Sequence, residues 1–323
     1  MRIILVGQAV FAEHVLQGLV DRGETVVAVY CPPDGSGAKT DPARVRAGEL
    51  GISVRQHRSL RRPEVVEEFR SLDADLAVLA FVTQIVPESV IGIPRFGTIC
   101  FHPSLLPRYR GGSAINWQLI KGESRTGVTV FWTDAGIDTG PILLRKEAEI
   151  APDVTAGSLY YETLFPLGVK AVIEAVALIA EGRAPCIAQD ERLATYDPLC
   201  RDEHAAVSWD RPVREVYNLI RGCDPQPGAF TQIAGRKVRL YDAALDAGAG
   251  SSRSPEAGGA QTTGTIVAVS PDGLRVLTRG GVIRIGRVRP EGESTKIKAV
   301  DFARTAGLEP GTQLVGTASL CRS

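Results

Sequence analysis

Only four histidines occur in this 323-residue chain, and one of them, His102, stands where chemistry is easily built. It follows the apolar run Gly97-Thr98-Ile99-Cys100-Phe101 and opens a loop rich in proline and glycine. A second apolar run, Gly127 to Trp132, leads into Asp134-Ala135-Gly136-Ile137-Asp138-Thr139-Gly140. If the two runs are neighbouring strands, His102 and Asp138 emerge at the same carboxyl edge, where open α/β sheets place their sites. A carboxylate beside an imidazole fixes its tautomer and equips it to move a proton near neutral pH. The blander alternative is a structural histidine at a strand end and an ordinary Asp-rich turn. Pro103, Pro107, Gly111 and Gly112 weigh against it, because they constrain a long loop of the kind that carries function.

The elements that must position these residues are legible as periodicities. Arg2 to Gly7 reads as a buried strand, Phe11 to Asp21 as an amphipathic helix and Val26 to Tyr30 as a second strand, a β-α-β opening. The turn Gly7-Gln8-Ala9 lacks the second glycine of a dinucleotide fingerprint, so no NAD is expected. Helices are expected over 41–50, 63–72, 113–120 and 155–181, and strands near Val54, at Leu76 to Phe81 and at Pro141 to Ile150. A stretch over 183–204, rich in Pro, Asp and Arg, reads as a linker. Beyond Ala205, short strands separated by turns such as Pro271-Asp272-Gly273 indicate a small antiparallel β-barrel. A Gly/Ser/Ala-rich segment, 244–263, reads as a mobile loop within it. The expected architecture is α/β: a Rossmann-like, mostly parallel sheet over 1–182, the linker, and a barrel domain over 205–323.

Composition narrows the function classes. Thirty-seven basic residues balance thirty-seven acidic ones, so no nucleic acid is expected as a partner. Six cysteines without paired short spacing predict free thiols and no metal site. Met1-Arg2 runs directly into a strand and no apolar run approaches membrane-spanning length, so a cytoplasmic protein without a membrane partner is expected. Oligomeric state leaves no mark in the sequence.

His102-Pro103-Ser104-Leu105-Leu106-Pro107-Arg108, then Arg110-Gly111 and Asp138-Thr139-Gly140, resembles the formyltransferase family that uses 10-formyltetrahydrofolate. Within it the chain is most similar to the hydrolase domain at the amino end of the 10-formyltetrahydrofolate dehydrogenases. Ser113 to Trp117, Leu164-Phe165-Pro166 and Ile220-Arg221-Gly222 extend the similarity over nearly the whole chain. The resemblance implies a formyltransferase fold with an OB-like barrel, and 10-formyltetrahydrofolate as formyl donor without metal or NAD. It implies His102 and Asp138 as the catalytic pair, with Cys100 and Ser104 beside the formyl group. Phe81, Gln84, Val86, Leu106, Asp134, Gly136 and Ile137 would frame the pteridine. Arg108, Arg110 and Ser113 are candidates for acceptor or folate-tail contacts. Residue by residue, the plainer alternatives are a solvated Gln84, a helix cap at Ser113 and surface ion pairs for the arginines. Amine formyltransferases of this family usually carry Asn where this chain has Cys100, a much weaker hydrogen-bond donor. The dehydrogenase hydrolase domain also lacks Asn there, which points to water as acceptor over an amine. A folate-binding protein without catalysis is the remaining alternative, and the His–Asp pair speaks against it.

Overall fold

The computed structural model describes residues 1–35, 39–233, 235–246 and 262–316. Two compact units divide the chain. The first comprises Met1–Ala114, Arg125–Glu149 and Tyr160–Pro198, and the second Ile115–Ser124, Ile150–Leu159 and Leu199–Ser323. Each unit is thus assembled from separate stretches, and the second recruits two that precede the 183–204 segment.

The first unit is built on β1 (Arg2–Gly7), α1 (Ala9–Asp21), β2 (Thr25–Cys31), α2 (Pro42–Glu49), β3 (Val54–Gln56), α3 (Pro63–Ser71), β4 (Leu76–Ala80), α4 (Glu88–Ile91) and β5 (Thr98–His102). The chain then leaves this unit through α5 (Ala114–Ile120), most of which belongs to the second, and returns to it at β6 (Arg125–Trp132) and β7 (Ile142–Glu149). The seven strands order as β3-β2-β1-β4-β5-β6-β7. The first five are parallel, and β6 and β7 are antiparallel to their neighbours. Strands β1 and β4 are apolar without alternation because helices cover both faces, as parallel sheets require.

The chain continues through α6 (Ala156–Ser158), a π-helical turn over Leu159–Leu164, and α7 (Phe165–Ala180). By length and composition alone, Ala156–Ala180 is long and apolar enough to cross a membrane, which corrects the expectation that no apolar run approaches that length. Part of its apolar surface is core: Gly168, Ala171, Val172, Ala175, Val176 and Ile179 of α7 are buried. A Cβ on Gly168 would lie 2.4 Å from the Phe101 ring, so glycine lets the helix approach β5 closely. On this face Phe101 also stacks on Phe11 of α1, ring centroids 4.3 Å apart.

In the second unit, α8 (Val213–Gly222) is followed by β8 (Phe230–Ile233), β9 (Arg236–Leu245), β10 (Ile266–Ser270), β11 (Gly273–Thr278), β12 (Gly281–Pro290), β13 (Ile297–Lys298) and α9 (Ala299–Ala306). The sheet runs β10-β11-β12-β9-β8, with β13 on β12, and every pairing is antiparallel. Bridges from Gln313 to Thr265 and from Val315 to Gln232 let one segment touch both edge strands. Val238, Leu240, Val276, Ile283, Ile285 and Val288 close a core with Trp209, Val216 and Phe302. Of the segment 244–263, Ala244 and Leu245 end β9, and 247–261 lie outside the described residues.

Candidate active site

His102 is the last residue of β5, and its side chain is nearly buried, 7 % exposed. Its Nε2 lies 2.7 Å from the carbonyl oxygen of Tyr109. A carbonyl only accepts, so Nε2 carries hydrogen and Nδ1 is left as the nitrogen that takes or gives a proton. Nδ1 faces Asp138 Oδ2 at 3.5 Å. The same oxygen accepts the Gly111 amide at 2.7 Å, which fixes the carboxylate independently of the histidine.

The route by which Asp138 arrives differs from the sequence expectation. β5 and β6 are neighbours, but antiparallel: Ile99 pairs with Trp132 and His102 with Thr129. The carboxyl end of β6 therefore lies beside the amino end of β5, not at the edge where His102 emerges. Three residues along a strand is roughly 10 Å, and the 133–141 connection covers that distance by turning back along β5. It passes the face shared by Cys100 and His102, which are two apart in the strand. The turn is braced locally: Asp134 Oδ1 accepts from the Gly136 amide at 3.0 Å and from Thr139 Oγ1 at 2.6 Å. A Cβ on Gly136 would sit 2.0 Å from Thr139 Oγ1, so only glycine fits. Asp138 itself adopts φ +56°, an uncommon conformation for a residue with a side chain. Ile137 stands exposed at the tip.

Cys100 is part of the same cluster. Burial, and secondarily the Asp138 charge, pushes its thiol well above the ordinary cysteine range. The thiol therefore stays protonated at neutral pH and is a poor nucleophile, consistent with a packed side chain. Ser104 is fully buried and its hydroxyl donates to Arg108 O at 2.7 Å, so it braces the loop. Thr129 Oγ1 donates to Ser104 O at 2.7 Å and accepts from Leu106 N at 3.1 Å. Leu106 is fully buried, and Arg145 donates to its carbonyl. Arg108 is exposed, its guanidinium over the Tyr109 ring. Ser113 immediately precedes α5.

Arg110 takes the ion-pair alternative. It is buried, and its guanidinium meets both carboxylate oxygens of Glu191 at 2.7 and 2.9 Å and the Gln189 side-chain carbonyl at 2.8 Å. Gln189 in turn donates to Asp138 O at 2.9 Å and Gly140 O at 2.7 Å. Tyr109 N donates to Thr195 Oγ1 at 2.7 Å, and Arg110 bridges to Tyr196. The stretch read as a linker thus supplies part of the site's frame. Sequence reasoning missed Gln189, Glu191 and Thr195, since no periodicity marks contacts between residues so distant along the chain. The Ala-Thr-Tyr at 194–196 was the one available signal.

The remaining expected residues fall elsewhere along the sheet edge. Phe81, at φ +61° and 41 % exposed, and Gln84 line a narrow cleft with Gly7, Gln8, Tyr30 and His57. That cleft lies where strand order reverses between β1 and β4, the usual place for ligands in such sheets. Neither His102 nor Asp138 lines it. Gln84 Oε1 accepts from Leu60 N at 3.3 Å, and Val86 packs on the core beneath. Among the described residues, no group of three or more His, Cys, Asp or Glu side chains is placed to hold a metal ion.

Residues 1–176 match the formyl transferase family, and residues 200–307 match the C-terminal domain of formyl transferases. The chain is 39 % identical to the cytosolic 10-formyltetrahydrofolate dehydrogenase of Xenopus laevis over 98 % of its own length but 34 % of that protein's. It spans about a third of those relatives. It is 38 % identical to the methionyl-tRNA formyltransferase of Geotalea uraniireducens, covering 97 % of this chain and 98 % of that one. Among solved structures, HypX from Aquifex aeolicus in complex with tetrahydrofolic acid shares the fold, with a TM-score of 0.68 at 20 % identity over 95 % of this chain and 47 % of that one. The chain is an enzyme of the formyl transferase family.

Proposed function

We propose that this enzyme cleaves the formyl group from 10-formyltetrahydrofolate with water as acceptor, giving formate and tetrahydrofolate. The observation that carries the reading is the His102–Asp138 pair, each partner independently fixed by backbone, through Tyr109 O and Gly111 N. Water adds to the formyl carbon, and Asp138 orients it and takes up its proton in concert with His102 Nδ1. The C–N10 bond of the tetrahedral intermediate then breaks, and His102 returns a proton to N10. The imidazolium formed on the way stabilises the oxyanion. Phe81 and Ile137 offer exposed apolar surface, and the backbone of the Gln84–Val86 and Asp134–Gly136 turns offers polar groups, a combination suited to a flat heterocycle. Leu106 is fully buried and offers no surface to such a ring, and Arg108 and Ser113, on the loop after His102, are the residues we assign to an incoming tail.

Cys100 supports water over an amine. A weak thiol donor stands where amine formyltransferases place an amide donor, and losing such a donor costs on the order of 100- to 1000-fold. Transfer to an amine is the second reading, favoured by the full-length similarity to a methionyl-tRNA formyltransferase. The balanced overall charge supports a small-molecule acceptor over a nucleic acid. We place the enzyme in a reducing cytoplasm, in keeping with its five free thiols among the described residues.

The test is purified enzyme with 10-formyltetrahydrofolate alone, following formate and tetrahydrofolate. Turnover that needs no added amine supports hydrolysis. Folate binding without turnover, relieved by an amine, moves the assignment to transfer. No folate binding by folded protein rejects both.

A further inference from the structure

We propose that Gln189 is a positioning residue that holds Asp138 in register with His102. The proposal rests on the formyl-cleavage reading for its kinetic consequences, but its geometric basis is independent of it.

The Gln189 amide has four hydrogen-bonding valences, two donors and two acceptor lone pairs, and every one is engaged. Both N–H groups go to carbonyls of the Asp138 turn, to Asp138 O at 2.9 Å and Gly140 O at 2.7 Å. Its carbonyl oxygen accepts twice from Arg110, at 2.8 Å from Nη2 and 3.3 Å from Nε. Because a guanidinium only donates, the amide has one possible orientation, with its N–H groups toward the turn. Glu191 fixes the guanidinium from the other side.

Three consecutive residues thereby converge on the pair. Tyr109 O holds His102 Nε2, the Arg110 side chain holds Gln189, and Gly111 N holds Asp138 Oδ2. Gln189 closes the loop of contacts by tying Arg110 to the backbone of Asp138 itself. Such a tie is needed because Asp138 sits at φ +56°, which is unfavourable for a residue with a Cβ and persists only when its surroundings impose it. The turn also has to stay folded back along β5, away from the strand end that launches it. Without Gln189 the two carbonyls lose their donors, and the turn relaxes toward ordinary backbone angles. The carboxylate then withdraws from the imidazole.

The test compares Gln189→Ala and Gln189→Met with the wild-type enzyme. We expect kcat for formate release to fall about 10- to 100-fold, the scale of a misplaced catalytic group, with KM for the folate unchanged. A group that merely stabilised the fold would lower the melting temperature and leave kcat per folded molecule intact. The second readout does not need activity: NMR hydrogen exchange of the Gly111 amide, which donates to Asp138 Oδ2 at 2.7 Å. With the carboxylate withdrawn, that amide loses its acceptor, so its exchange quickens by about tenfold or more in both variants while amides of the β1–β4 core stay protected. Wild-type kcat and unchanged Gly111 exchange in folded variants would overturn the proposal. If wild-type enzyme releases no formate, the proposed reaction fails, and the Gly111 exchange rate still decides the role of Gln189.

Discussion

The seven-stranded sheet carries two histidine–carboxylate pairs, and they are built differently. Beside β3, His57 Nε2 lies 3.0 Å from Glu68 Oε2, and the Tyr30 hydroxyl donates to the same oxygen at 3.3 Å. The Tyr30 and His57 rings stack, centroids 6.1 Å apart. Burial first, and Glu68 second, pushes the Tyr30 hydroxyl far above its usual range, so it remains a donor. Glu68 sits on α3, and side chains alone hold this pair together. At β5 the His102–Asp138 separation is longer, 3.5 Å, yet each partner is pinned by a backbone group and the carboxylate rides on a turn with positive φ. Proximity of imidazole and carboxylate is therefore a poor marker of a reacting pair. What separates the two is how much surrounding backbone is committed to one geometry, with the protonatable nitrogen still lacking a close partner.

The sharpest way to break that comparison is to remove each histidine in turn. His102→Ala should cut formate release by about 100- to 10,000-fold, the range of a lost proton-transfer group. His57→Ala should leave kcat within about threefold and show instead as a lower melting temperature, because it loses only a partly exposed ion pair and a ring contact. Equal losses would mean that the β3 pair belongs to the machinery.

Next come the carboxylates. Asp138→Asn keeps an oxygen for Gly111 N but removes the charge beside His102, and kcat should fall on the order of 100-fold with little change in stability. Glu68→Gln should cost about 1 kcal/mol or less in stability and nothing in kcat, since its side chain is a third exposed. Denaturation midpoints and single-turnover formate release on the same preparations separate these outcomes.

Cys100→Asn addresses the acceptor. If a weak donor at this position limits amine chemistry, an amide there should raise the rate of amine formylation about tenfold while formate release changes less. A variant that only loses hydrolysis, with no amine product, would show that Cys100 does not select the acceptor.

Much of this site is legible in the sequence, because its chemistry is concentrated in one contiguous motif. The apolar run ending at His102 is a strand, and the Asp134–Gly140 turn is a turn. The direction of β6 was not legible: a strand-like run such as Gly127 to Trp132 reads alike whichever way it runs, and parallel and antiparallel neighbours differ only in connection and register. The expectation that both strands end at one edge failed for that reason, even though the two side chains do meet. Gln189 was hidden for a different cause. Its partners are 49, 51 and 79 residues away, and a lone glutamine in a Pro- and Arg-rich stretch carries no period that would place it. The helix α9 was likewise passed over, being short and beyond the strands that set the pattern of the second unit.

The smallest expected effect uses the cysteines as reporters at the two places. Cys31 at the end of β2 has its thiol pushed up to about 11, by burial first and the Asp41 charge second. Cys100, within β5, is raised further, again by burial first, and then by Asp138. The reactive form is the thiolate, so a raised value means less thiolate at a given pH and slower alkylation. At pH 8 iodoacetamide should therefore modify exposed Cys186 ahead of Cys31, and Cys31 ahead of Cys100. Removing a negative neighbour favours the thiolate, so Asp138→Asn should speed Cys100 labelling modestly and leave Cys31 unchanged. Peptide mapping over a labelling time course reads both rates in one sample. If Asp138→Asn accelerates both cysteines alike, the turn supports the whole sheet edge and not the β5 pair alone. Acceleration at Cys100 only would place the Asp138 charge locally over the β5 face, as the distance to His102 requires.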